Sequence, residues 1–79
     1  MVYGYSARLV TLNKEANGHL LGVKLGRECI QRNLPVTRVS RELRVSRQTI
    51  YNWFCGKGDP RSDKASAITA YLARLKKHS

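Results

Sequence analysis

Residues 35–55 read PVTRVSRELRVSRQTIYNWFC, and this stretch decides the fold. Val36, Val39, Ser40 and Leu43 recur at spacings of three, one and three, which puts them on one face of a short helix and leaves Arg38, Arg41 and Glu42 on the other. Pro35 fits the first turn of that helix, because its ring presets a helical φ and its missing N–H is not needed there. Arg44-Val45-Ser46 interrupts the pattern. Ser46 then caps the next helix, whose buried set is Ile50, Trp53 and Phe54. Two helices meeting at a tight turn are expected.

Upstream, residues 20–33 place Leu21, Gly22, Val23, Leu25, Gly26, Cys29 and Ile30 on one broad arc, with Lys24, Arg27, Glu28 and Gln31 opposite. Gly22 and Gly26 lie one turn apart. That spacing lowers helix propensity but lets another backbone approach closely, so it reads as a helix crossing rather than a phosphate loop. Leu34-Pro35 ends this helix, since the residue before proline is driven out of the α region. Nearer the start, Ser6 can cap a short helix carrying Tyr5, Leu9, Leu12 and Ala16, stopped by Asn17-Gly18. An extended arm or edge strand over residues 2–12 is the competing reading, because Tyr, Val and Thr favour strands.

Downstream, residues 56–61 (GKGDPR) are turn formers. Ser62 is positioned to cap a last helix striped by Ala65, Ile68, Tyr71, Leu72 and Leu75, with Lys76 and Lys77 complementing its C-terminal dipole. The expected fold is therefore all-α, a compact bundle of four or five helices, with residues 1–19 as an arm or short helix, 20–76 as the domain and 77–79 as a tail.

Seventy-nine residues support one small domain, since a chain this short buries only about 60% of its unfolded surface. A hydrophobic share of 42% is too high for a disordered tail, and no apolar run approaches the roughly 18 residues of a membrane span. Residues 1–6 show neither a basic nor an apolar export region, so a cytoplasmic location is expected. Fifteen Lys and Arg against five Asp and Glu leave +10, a field that attracts polyanions. The excess is mostly Arg scattered among helices rather than Lys on the rim of one amphipathic helix, which favours nucleic acid over a lipid surface.

Cys29 and Cys55 with the isolated His19 and His78 form no zinc spacing and no disulfide framework, so no metal and no cofactor are expected. Cys29 reads as core, and Cys55 as a weakly polar residue or, less simply, a redox-sensitive thiol. The five acids pair with no histidine at helical spacing, and neither a nucleophile elbow nor a phosphate loop is present. Catalysis is not expected.

With Ile50, Trp53 and Phe54 inward, the third helix of the domain turns Arg47, Gln48, Tyr51 and Asn52 outward. These types match base edges in the major groove: Arg to guanine O6 and N7, Gln or Asn to adenine N6 and N7, and Tyr to a thymine methyl or a phosphate. Ser46 at the helix start is placed for a phosphate, and Arg38, Arg41, Arg44, Lys57 and Arg61 flank it as candidate backbone contacts.

On these residues the chain resembles the lambda-repressor and Cro class of helix-turn-helix DNA-binding domains. The resemblance runs over most of residues 20–75, through Val39, Ser40, Leu43, Val45, Ile50, Trp53, Gly56, Pro60 and the closing Ile68, Leu72 and Leu75. Three departures stand out. The family's turn glycine, at φ > 0, is here Arg44, at a cost of about 1–2 kcal/mol. Its common Ala at the helix contact is Ser40, which must find a backbone acceptor. Its Glu near the end of the third helix is Phe54. Trp53-Phe54 is also similar to homeodomains, but their Asn two positions on would fall on Gly56.

The resemblance implies a small transcriptional regulator, a Cro-like repressor of bacterial or phage type acting by occupancy on double-stranded DNA, in the nucleoid or an infected host cell. A homodimer would join half-sites through the last helix around Tyr71 and Leu75 or through the Tyr-rich N-terminus. Two alternatives remain open: a phage-type protein binding a partner such as host RNA polymerase, and a non-specific architectural DNA binder.

Overall fold

The computed structural model describes residues 5–77 as five α-helices with no strand among them: α1 (Ala7–Glu15), α2 (Leu21–Gln31), α3 (Val36–Leu43), α4 (Arg47–Phe54) and α5 (Ser62–Lys77). Residues 1–4 of the expected arm and residues 78 and 79 of the expected tail lie outside the described residues. Of the two readings of the N-terminal segment, the helix is the one that forms. Ser6 is its N-cap, its side chain accepting from the Leu9 N–H at 3.1 Å, which satisfies one of the amide donors left open at a helix start.

The ends of α2, α3 and α4 share one device. Asn33 (φ 55°), Arg44 (φ 57°) and Gly56 (φ 76°) are left-handed and follow α2, α3 and α4. Each turns the chain so that the next amide reaches back: Leu34 N–H to Cys29 O at 2.9 Å, Val45 N–H to Ser40 O at 3.1 Å and Lys57 N–H to Asn52 O at 2.9 Å. Carbonyls orphaned at a helix end thereby gain donors. Arg44 thus occupies the strained turn position expected of it, and Ser40 Oγ finds its backbone acceptor in Thr37 O at 3.0 Å.

Two boundaries differ from the sequence reading. Pro35 is the N-cap of α3, with ψ 141°, and Val36 is the first helical residue. Proline's fixed φ serves both positions, so the sequence alone does not separate them. Ser62 is the first residue of α5 rather than its cap, and the Arg61 carbonyl accepts the Ala65 N–H at 2.7 Å.

Every helix contributes to one core. Val23, Leu25, Cys29, Val39, Ile50, Phe54 and Ile68 are fully buried, and Tyr5 and Leu9 join them from the α1 side. Tyr5 lies with its ring centroid 6.1 Å from that of Phe54, and its hydroxyl donates to Leu34 O. Each such aliphatic or aromatic side chain contributes about 1.5–3 kcal/mol through burial. The glycine pair does mark a crossing: a Cβ on Gly22 would sit 2.7 Å from Trp53 Cβ, and one on Gly26 would sit 2.8 Å from Phe54 Cγ. α2 and α4 therefore pack at backbone distance, which sets the height and angle of α4.

Candidate nucleic-acid interface

Helix α4 begins at Ser46, whose Oγ accepts from Thr49 N–H at 3.1 Å and shares a second hydrogen bond with Thr49 Oγ1 at 2.9 Å. Its hydroxyl is thus committed to the cap. Ile50, Trp53 and Phe54 face inward, and Arg47, Gln48 and Tyr51 are exposed, with Asn52 half-buried beside them. Tyr51 is 38% exposed, unusual for a ring of its size. The Gln48 Nε2 donates to Asn52 Oδ1 at 3.1 Å, one helical turn on. That bond leaves the Asn52 amide group free to donate and the Gln48 carbonyl free to accept, the pair of functions an adenine edge takes.

The C-terminal end of α4 is held by a residue the sequence reading passed over. Asn13 is 3% exposed, and its Nδ2 donates to Phe54 O at 2.8 Å and to Val23 O at 3.2 Å. The available signal was its place four residues after Leu9, on the inward line from Tyr5. Leu12, expected inward, is half-buried instead. Also unanticipated is Arg8, exposed in the first turn of α1, which lines a groove of about 310 Å³ together with Tyr5, Ser6, Leu9, Leu12 and Tyr51. A second basic side chain therefore stands next to the exposed face of α4.

The flanking cations divide. Arg41, Arg44, Lys57 and Arg61 are exposed on α3, its terminal turn and the loop after α4, and their side chains have no hydrogen-bond or ion-pair partner among the described residues. Arg38 is exposed too, but it lines a groove between α3 and α5 with Glu42, Tyr71, Arg74 and Leu75, without any residue of α4. In that groove Arg74 lies 3.8 Å from Glu42 and 5.3 Å above the Tyr71 ring.

The titratable groups with displaced equilibria are all in the core. Burial pushes the Cys29 thiol up to about 12 and raises Tyr5 and Tyr71 above the usual phenol range. A thiol so shifted is a poor nucleophile. Among the described residues no group of three or more His, Cys, Asp or Glu is placed to hold a metal ion, and no helix is long and apolar enough to cross a membrane. No protein-family model, curated protein or solved structure matches this chain.

Proposed function

We propose that this chain is a small sequence-specific DNA-binding regulator that lays α4 in the major groove, in the manner of the lambda-repressor and Cro class. The observation that carries this reading is the outer face of α4, where Arg47, Gln48, Tyr51 and Asn52 stand opposite the buried Ile50, Trp53 and Phe54. An eight-residue helix packed at backbone distance on α2 buries one face in the core and leaves the other exposed, and the major groove admits an α-helix. Arg47 suits guanine, and the coupled Gln48 and Asn52 amides suit adenine. Arg41, Arg44, Lys57 and Arg61 meet the flanking phosphates, and the excess of ten positive charges draws the duplex in. Occupation of its site, which blocks polymerase, is the mode of action this reading gives it.

The Gln48–Asn52 pair favours base reading over architectural binding, because a phosphate-only binder gains nothing from two oriented amides. Selection of bound duplexes from a random library tests the proposal. The expected result is an enriched motif a few base pairs wide; a library that emerges unenriched after repeated rounds would refute it.

A further inference from the structure

A second groove lies between α2 and α5. Leu21 and Lys24 form one wall, and Thr69, Leu72, Ala73 and Lys76 form the other, enclosing about 440 Å³. These spacings, three on α2 and three, four and seven on α5, put one edge of each helix along the groove. Leu21 and Leu72 are half-buried against the core and supply an apolar floor, while Lys24 and Lys76 stand exposed on the rim. Past Leu72 the same two lysines border a neighbouring hollow with Arg27 and Glu28. There Glu28 is held by Arg32 at 3.0 Å, and the Arg27 guanidinium is turned onto the α1 carbonyls of Lys14 and Ala16.

We propose that this groove docks an acidic amphipathic helix from a second protein, with its apolar stripe on Leu21, Leu72 and Ala73 and its carboxylates against Lys24 and Lys76. An apolar floor between two ammonium groups is complementary to that class of partner. A nucleic-acid backbone presents phosphates without apolar surface and would leave the floor uncovered. A second copy of this chain would bring +10 against +10. No residue of the groove belongs to α4, so the two binding surfaces share no side chain.

The test uses the full chain and a labelled synthetic helix with Leu at i, i+3, i+4 and i+7 and Glu on its flanks, read by fluorescence anisotropy. Lys24→Glu with Lys76→Glu is compared with Arg41→Glu and Lys57→Glu, the same charge change placed elsewhere, and Ala73→Trp fills the floor without altering charge. The groove pair and Ala73→Trp weaken the probe by about tenfold, and the control pair by less than about threefold. Equal loss in the two charge pairs, or wild-type affinity in a folded Ala73→Trp, overturns the proposal in favour of unspecific attraction. Amide shifts of the unmodified chain on titration give an independent reading. They are expected along Leu21, Lys24 and residues 69–76, and shifts confined to α4 overturn it. Displacement of the probe by random duplex DNA, with shifts in these same groove residues, assigns the groove to nucleic acid instead.

Discussion

The side-chain amide of Asn13 donates to the main-chain carbonyl of Phe54 at 2.8 Å, joining α1 to the last residue of α4 across 41 positions of sequence. Its second proton goes to Val23 O on α2. Both acceptors are carbonyls, which fixes the orientation of the amide. One buried polar group thereby satisfies an orphan carbonyl of the candidate recognition helix and ties three helices together.

Asn13→Ala removes both bonds and leaves the Phe54 carbonyl buried without this donor, so a loss of about 1–3 kcal/mol is expected. Denaturant midpoints of the variant and the parent measure it, and an unchanged midpoint would show that the amide does not hold α4.

Arg44 sits at φ 57° and ψ 46°. Relief of left-handed strain by glycine is worth about 1–2 kcal/mol, against about 0.4–1 kcal/mol of added unfolded-state freedom. Arg44→Gly is therefore neutral or stabilising by up to about 1 kcal/mol in a thermal melt, even though DNA affinity falls with the lost charge. A clear drop in melting temperature would contradict the turn geometry.

Gly22→Ala tests the helix crossing with an opposing pair of effects. Alanine adds up to about 1 kcal/mol of helix propensity, but its Cβ would lie 2.9 Å from the Trp53 carbonyl oxygen and 2.7 Å from Trp53 Cβ. Overpacking against backbone atoms costs about 1–3 kcal/mol and outweighs it, giving a net loss of up to about 2 kcal/mol. Gly58→Ala, with nothing within 4 Å of the added atom, is the control and leaves the melt unchanged or slightly higher.

Cys29 is fully buried and Cys55 only partly so, and neither is in a disulfide. A thiol reagent therefore modifies Cys55 in the native chain and reaches Cys29 only on unfolding. The raised Cys29 equilibrium also carries a pH dependence. The unfolded chain loses this proton near 9 and the folded chain near about 12, so the contribution is complete below pH 9 and is lost as pH rises through that window. Stability followed from pH 8 to 11 falls progressively; a flat profile would place Cys29 in water.

Base and phosphate contacts leave different signatures. Arg47→Ala, Gln48→Ala and Asn52→Ala each cost about 1–3 kcal/mol on a selected site and relax preference at one or two base pairs. Because Gln48 and Asn52 are bonded to each other, their double variant costs less than the sum of the single ones. Lys57→Ala or Arg41→Ala weakens all sequences alike and lowers the salt slope by about one unit. Variants of α4 that keep the parent ratio of selected to random DNA would end the regulator reading.

Much of this arrangement is legible in residues 20–55 by themselves. The periodicity of Val36, Val39 and Leu43, the cap at Ser46 and the break at Arg44 are local features, each set by interactions within a turn or two of chain, and the spacing of the α2 glycines signals a close crossing without naming its partner. Side-chain spacing along one helix also assigns Ile50, Trp53 and Phe54 inward and therefore Arg47, Gln48, Tyr51 and Asn52 outward, without knowledge of any neighbour. Two residue types blur even local reading: proline suits both the cap and the first turn, and serine suits both the cap and the first residue, which is why Pro35 and Ser62 fall one place from expectation.

What the chain's periodicity leaves open is which helix lies beside which. Asn13 becomes a core residue only because α1 crosses the end of α4, and a polar residue on an inward line is costly until a carbonyl 41 residues away accepts from it. Arg8 reaches the edge of the α4 face, and Arg38 the α3–α5 groove, for the same reason: a helical wheel gives the direction of a side chain about its own axis and carries no information on the placement of that axis. Sequence alone determined four amphipathic segments and their turns, and left a short helix or an extended arm open ahead of them. Only tertiary packing, in which long-range contacts set the relative position of the helices, decided that Asn13 anchors α4, that Arg8 stands beside Tyr51 and that α2 and α5 leave a lysine-rimmed groove between them.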